Sequence, residues 1–342
     1  MTGFTEPVAL QVVVALDRGL REKVLSSRQW QRLESLAQVG VVPGAPDLSD
    51  AEVRELLGAA EVLLTGWGFP MLTSDFLDAC RCLRLIVHTG GSVRSFAGPE
   101  VFDRGIIVCS QTELNAEPVA EFCLAQILLA AKGVGRAARQ YAERQQLPSF
   151  DGAEPSDIGV YGATVGLIGY GRVCRRLIEL LRPFEVRILL NTPYVDALEA
   201  VKLGVELVDL TQIMATADVI SVHLGDTPDN HSAITGELLS LVKPGATFIN
   251  TARGIVVDEP GLVRELLTGR FDAVLDVTWP EIPAADSPLW TLPNVTLTPH
   301  WAGSLGRELA RLGQGAIDNI EQYLLGLPLT GQIDPALAPH LA

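Results

Sequence analysis

Short apolar runs alternate with longer amphipathic stretches through almost the whole chain, and no other feature restricts its folding as much. "LQVVVAL", "EVLLTGW", "LRLIVHTG" and "GIIVCSQ" form a first series. "TVGLIGYG", "VRILLNT", "ADVISVHL", "ATFINTA", "FDAVLDV" and "NVTLTPH" form a second. Each run is rich in β-branched and aliphatic residues and short enough for a buried strand, while the segments between are long enough for helices. That alternation gives α/β architecture, with parallel sheets covered by helices on both faces. Two series in 342 residues, about twice the usual domain length, imply two doubly wound domains.

The division is expected where Glu117-Pro118 opens a long helix reaching about Tyr141, with proline at the first helical position as helices prefer. "QQLPSFDGAEPSD" then reads as a loop or arm, a final helix runs from about Gly303 to Leu325, and "GLPLTGQIDPALAPHLA" closes the chain. The expected domains are residues 1–116 with 306–342, and residues 117–305.

A formal charge of −15 and a pI near 4.8 repel polyanions, so neither nucleic acid nor an anionic membrane is an expected partner. An anionic substrate must be drawn by local cations. The N-terminal stretch has Glu6 and Pro7 before its apolar run and reads as a first strand, not a signal peptide. "VAEFCLAQILLAAKG", interrupted by Glu121, Gln126 and Lys132, reads as too short and too polar to span a bilayer. Five cysteines, with Cys80 and Cys82 too close for a zinc or redox pair, read as reduced thiols in a cytoplasmic protein without a metal site.

"TVGLIGYGRVCRRLIELL" is a strand, a glycine turn and an amphipathic helix, the context in which a glycine motif signals a dinucleotide. Gly169 and Gly171 would supply the tight turn and the close approach of backbone to pyrophosphate, whose charge meets the helix N-terminus. Cys174 takes the third glycine position, where a small side chain is tolerated. The acid that usually holds the adenosine ribose is replaced by Asn191 and Thr192. An ordinary tight turn between strand and helix would look the same in isolation.

Three ionisable residues follow at or beyond strand ends: Arg253 in "FINTARGIVVDE", Glu281 in "LDVTWPEIP" and His300 in "LTPHWAG". An arginine can fork onto a carboxylate, a histidine can exchange a proton near neutral pH, and a carboxylate can orient that imidazole. Together they suit proton transfer beside an anchored carboxylate. Singly, Arg253 would serve as well in a surface pair with Asp258 or Glu259, Glu281 as a loop carboxylate and His300 as a turn cap.

With these stretches in order, joined by "ADVISVHLGDTPDN", "HTGGSVRSF" and "NAEPVAEF", the sequence resembles the D-isomer-specific 2-hydroxyacid dehydrogenases over essentially its whole length. The resemblance implies a Rossmann-type dinucleotide-binding domain, a flavodoxin-like substrate domain and a cleft between them. It further implies hydride exchange between a nicotinamide and C2 of a small 2-oxo or 2-hydroxy acid, of the glyoxylate or hydroxypyruvate type. Arg253 would bind the substrate carboxylate and carbonyl oxygen, His300 would exchange the proton, and Glu281 would hold the imidazole. Gly90, Gly91, Ser92 and Val93 would form an N–H nest for the carboxylate. Arg172 and Val173 would lie at the pyrophosphate, with Thr192 at the ribose. Thr251, Ala252, Asp276 and the segment from His300 to Gly303 would surround the nicotinamide half. NAD is the expected cofactor, with NADP also admitted, and a homodimer the expected assembly.

Two departures from the family pattern stand out. Gly225 replaces the proline that usually follows His223 by two, so His223 is given a structural role. Glu281 stands where formate dehydrogenases of this fold carry glutamine, which favours acid–base chemistry. A dinucleotide-sensing binding protein of the corepressor type, with little turnover, is the alternative from another functional class. Trp67 and Phe69 read equally as pocket wall or core, and Arg94 as an anion contact or a solvated side chain.

Overall fold

The protein is described by a computed structural model covering residues 10–147 and 158–336. The first nine residues, most of the arm expected at 145–157, and residues 337–342 lie outside the described residues. The chain divides into two units, residues 1–115 with 304–342, and residues 116–303. These limits fall one and two residues before those expected. At this boundary the Ser304 N–H donates to Asn115 Oδ1 at 3.0 Å, and the Asn115 N–H donates to the Gln111 carbonyl at 2.8 Å.

In the first unit β1 (Gln11–Ala15), β2 (Gln38–Val42), β3 (Val62–Thr65), β4 (Leu85–His88) and β5 (Ile107–Ser110) make one parallel sheet, ordered β2-β1-β3-β4-β5. Because side chains alternate across a strand, each strand feeds two cores. Val13, Leu63, Ile86 and Val108 pack on one face with Leu57, Phe76 and Phe96. Val12, Val14, Leu64, Val87 and Cys109 pack on the other against Val24, Leu33, Leu312 and Ile317. The last two residues belong to the C-terminal helix Leu309–Leu324, which therefore completes the first unit.

In the second unit β6 (Thr164–Ile168), β7 (Arg187–Asn191), β8 (Glu206–Leu207), β9 (Val219–Val222), β10 (Thr247–Asn250), β11 (Asp272–Leu275) and β12 (Val295–Leu297) form a parallel sheet. Its order is β12-β11-β10-β9-β6-β7-β8. The first strand of the series, β6, pairs with both β7 and β9. The strand order reverses there, and in such sheets ligands bind outside the carboxyl ends of the strands at that point.

All ten apolar runs read from the sequence are strands; β2 and β8 are additional. Both added strands are edges with mostly exposed or half-exposed residues, so they lack the buried apolar run that marks the others. The long helix also differs from expectation. It begins at Thr112 and ends at Ala131, placing Pro118 in its interior, and a separate helix, Val134–Arg144, follows a break at Gly133 with φ +69°. The earlier start makes this helix long and apolar enough to cross a membrane by length and composition, yet Ala120, Cys123 and Ile127 are packed in the second unit's core. The final helix starts later than expected, at Leu309, after the 3-10 turn Gly306–Glu308.

Candidate active site

The glycine turn leaves β6 at Ile168 and enters the helix Arg172–Leu181 at Gly171. Gly169 has φ +95°, and a Cβ there would lie 2.7 Å from the His223 carbonyl oxygen, so both conformation and space demand glycine. Gly171 has open space around its Cβ position and gives the helix no side-chain cap. The first-turn N–H groups, including that of Val173, remain oriented for an anion, and the residues fit a dinucleotide pyrophosphate. Cys174 turns inward, fully buried with Leu177 and Ile178. Burial pushes its thiol pKa up, which makes it a packing residue.

The expected ribose position is less committed to ligand than its residue types suggest. Asn191 Nδ2 donates to the Val208 carbonyl at 2.8 Å, and Thr192 Oγ1 accepts the Tyr194 N–H at 3.2 Å. Asn191 thus holds β7 to the chain after β8 while its own Oδ1 stays available as an acceptor.

Arg253 sits three residues past β10. Asn250, 1% exposed, closes this turn by donating through Nδ2 to the Arg253 carbonyl at 3.0 Å and accepting the Ala252 N–H on Oδ1 at 3.0 Å. Arg253 Nη1 donates to the Ala252 carbonyl at 2.6 Å. Gly254 lies so close to the Thr278 carbonyl carbon and oxygen that a Cβ would sit 2.0 Å from them. Asp258 accepts from the N–H groups of Gly236 and Gly261, and Glu259 from the Trp279 N–H at 2.8 Å. Burial raises the Glu259 carboxyl pKa. Thr251 is 7% exposed, and its Oγ1 lies 3.1 Å from Cys123 Sγ.

Glu281 and His300 meet as expected: Nδ1 lies 2.6 Å from Glu281 Oε1. With the carboxylate accepting, Nδ1 carries a hydrogen and Nε2 is the nitrogen left for proton exchange. His300 has φ +56°, unusual for a side-chain-bearing residue, and its N–H donates to the Asp276 carbonyl at 3.0 Å. The Asp276 carboxylate accepts from Thr298 Oγ1 and from the N–H groups of Trp301 and Ala302. Thr278 Oγ1 lies 2.8 and 2.9 Å from the carbonyls of Pro280 and Glu281, which share its one hydrogen, bracing the other partner. Asn250, Thr278 and Thr298 were absent from the residues expected at the site, because their contribution lies in where one hydrogen bond points. Gly303 ends this segment and the second unit.

In the first unit the turn after β4 presents the Gly90–Val93 stretch. The Gly90 and Gly91 carbonyls accept from the Gln111 N–H and Thr112 Oγ1, leaving the turn's own N–H side for an anion. A Cβ on Gly90 would strike His88 Nε2 at 2.6 Å and the Trp67 ring at 3.0 Å. Ser92 Oγ accepts the Arg94 N–H at 3.4 Å, and Val93 is buried against Phe96. Phe69 is a core residue, edge-on to Phe76 and Phe96 at 5.8 and 5.9 Å, whereas Trp67 is 44% exposed beside Gly90. His88 donates or accepts at Thr65 Oγ1 over 3.0 Å, and burial lowers its pKa to about 4. In the second unit burial likewise lowers the pKa of His223 to about 4. Its Nε2 is covered and unpartnered among the described residues, while its carbonyl supports Gly169.

A family model described as D-isomer specific 2-hydroxyacid dehydrogenase, NAD binding domain, matches residues 124–302. The D-3-phosphoglycerate dehydrogenase of Methanocaldococcus jannaschii is 30% identical over 295 residues, covering 86% of this chain and 55% of that protein. The chain thus spans about half the length of the curated relatives it matches. A crystal structure of a Thermus thermophilus protein superimposes with a TM-score of 0.72 at 26% identity, covering 94% of this chain and 99% of that one. A phosphoglycerate oxidoreductase from Rhizobium etli shares the fold with a TM-score of 0.77 at 23% identity, over 94% and 98% of the two chains.

Proposed function

Because this chain belongs to the D-isomer-specific 2-hydroxyacid dehydrogenase family, we propose that it reduces a small 2-oxo acid to the 2-hydroxy acid with a nicotinamide dinucleotide. The observation carrying this reading is the 2.6 Å contact between His300 Nδ1 and Glu281 Oε1, in the unit that also holds the glycine turn at Gly169 and Gly171.

The bound dinucleotide supplies the hydride donor or acceptor. The residues fitted to hold it are Gly169, Gly171, Arg172 and Val173 at the pyrophosphate, Thr192 at the ribose, and Thr251, Ala252, Asp276 and Gly303 towards the nicotinamide. Arg253 binds the substrate carboxylate and the carbonyl oxygen, and its attraction strengthens as that oxygen gains negative charge. His300 Nε2 gives the proton to the oxygen in reduction and takes it back in oxidation. Glu281 accepts from Nδ1–H whether or not Nε2 carries a proton, so the ring keeps its orientation as Nε2, protonated before reduction, gives the proton up and later regains it. In the first unit, the N–H groups from Gly90 to Val93 are fitted to an anion such as a carboxylate. NAD is the favoured cofactor, with NADP tolerated, and the favoured substrates are glyoxylate and hydroxypyruvate.

The test is a matrix of NADH and NADPH oxidation against glyoxylate, hydroxypyruvate, pyruvate, phenylpyruvate, 2-oxoglutarate and phosphohydroxypyruvate. The last belongs because of the phosphoglycerate relatives. Turnover of a short unphosphorylated acid is the expected result. Tight NADH binding without turnover of any acid would overturn the reading in favour of a dinucleotide-sensing binding protein.

A further inference from the structure

A carboxylate taken out of water must be met by donors or by a cation. Asp276 is 1% exposed, and among the described residues no ion pair includes it. Three donors meet it instead. Thr298 Oγ1 lies 2.6 Å and the Trp301 N–H 2.7 Å from Oδ1, and the Ala302 N–H lies 2.9 Å from Oδ2. All three come from within two residues of His300, one before it and two after. Between them His300 is held at φ +56°, which a residue with a side chain adopts only when its surroundings impose it. Its N–H is bound to the carbonyl of the same Asp276 at 3.0 Å.

We propose that Thr298, acting through Asp276, is a positioning residue for His300. The buried charge draws both flanks of the histidine onto one carboxylate, which fixes the left-handed backbone and presents Nδ1 to Glu281. Thr298 supplies the only side-chain donor of the three, so it is the part of the clamp that substitution can remove. A carboxylate offers about four acceptor directions; three are used, and one on Oδ2 remains for a carboxamide N–H. The clamp is therefore compatible with Asp276 also serving the nicotinamide. This inference rests on the reading of His300 as the acid–base group.

The experiment compares wild type with Thr298→Val and Thr298→Ser, and uses Thr298→Ala in place of Val if that variant fails to fold. With the best 2-oxo acid of the panel, Val is expected to lower kcat roughly 10- to 100-fold, the scale of a misplaced catalytic group. The Kd for NADH, read by fluorescence, should change less than about threefold, while Ser, which keeps the hydroxyl, should stay within about threefold of wild type. A second readout needs no turnover: the imidazole Cε1–H resonance of His300, assigned by its loss in His300→Ala, should shift and broaden in Val and not in Ser. Wild-type kcat with an unchanged resonance in Val, or equal damage from Ser and Val, would overturn the proposal. If no acid turns over in wild type, the dehydrogenase reading fails, and the resonance still decides the clamp.

Discussion

Asn250 holds the turn that carries Arg253 from both sides, donating to the Arg253 carbonyl and accepting the Ala252 N–H, each at 3.0 Å. The amide is suited to this because it offers a donor and an acceptor from one planar group. Asn250→Asp keeps the acceptor and loses the donor, and Asn250→Ala loses both. Each should raise KM and lower kcat together, Ala by roughly 10-fold or more in kcat/KM, since a displaced guanidinium weakens ground-state and transition-state contacts alike. Arg253→Lys should rescue an Arg253→Ala loss poorly, because an ammonium lacks the planar fork. Steady-state kinetics with the best acid checks both, and wild-type constants in Asn250→Ala would remove Asn250 from the site's support.

The pair of Glu281 and His300 predicts an asymmetry. On the proposed mechanism His300→Ala removes the proton donor and should lower kcat by about 10²- to 10⁴-fold, the usual contribution of general acid catalysis. Glu281→Gln can still accept at its carbonyl oxygen and keep the ring oriented, so its loss should be smaller. NADH affinity should be preserved in both. A His300→Ala variant that turns over near the wild-type rate would end the assignment.

Acid stability follows from two other histidines. Burial depresses the pKa of His88 and of His223 to about 4 from an ordinary value near 6.5. Between those values the unfolded chain binds more protons than the folded one, so stability rises with pH across that window. Their contribution is present above about pH 6.5 and is lost as pH falls through about 4. Urea unfolding at pH 7, 5.5 and 4.5 should show a falling midpoint. His88→Gln, which can keep a bond to Thr65, should flatten the dependence, and an unchanged slope in that variant would exclude His88 as a source.

The strand rhythm was legible because eight of the strands that carry it are central or packed on both faces, where buried runs are continuous. β2 and β8 were illegible because their residues, Gln38 and Glu206 among them, are mostly exposed or half-exposed, whereas β5, also an edge, keeps a buried run. Site chemistry divides in the same way. Arg253, Glu281 and His300 announce themselves by residue type at strand ends. Asn250, Thr278 and Thr298 look like ordinary polar residues until the fold shows which backbone group each one meets. Phe69 and Trp67 were indistinguishable in sequence, and only the packing around Phe96 separates them.

We expect a homodimer. The helix Val134–Arg144 buries none of its residues within the chain, and Val134 and Tyr141 are 42% and 57% exposed, as is Leu129 at 49% on the helix before it. A helix that buries no residue in its own chain leaves a face open to a second copy, and a self-complementary face closes as a two-fold pair. Sedimentation at micromolar concentration should give twice the mass of 36.7 kDa. Tyr141→Glu should shift the equilibrium towards monomer, and a monomeric wild type would reject the expectation.

The cofactor preference turns on what Asn191 and Thr192 have left to offer. An acid at the end of the second strand favours NAD by accepting from the ribose hydroxyls and repelling a 2′-phosphate. Here one hydrogen of the Asn191 amide nitrogen is bound to the Val208 carbonyl, and Oδ1 is the group left to accept from a ribose hydroxyl. Thr192 Oγ1 already accepts the Tyr194 N–H. These are uncharged acceptors, adequate for a hydroxyl and without a counter-charge for a phosphate dianion. Residues 191–196 contain no lysine or arginine, and Arg187, at the opposite end of β7, is paired with Glu206 at 2.8 Å. Discrimination should therefore be weak, with a modest lean to NAD. Comparing kcat/KM for NADH and NADPH with one good acid measures it, and Thr192→Asp should sharpen the lean by adding the missing repulsion. A wild-type preference for NADPH above about 100-fold, roughly 2.7 kcal/mol, would show that a cation from another segment reaches the ribose.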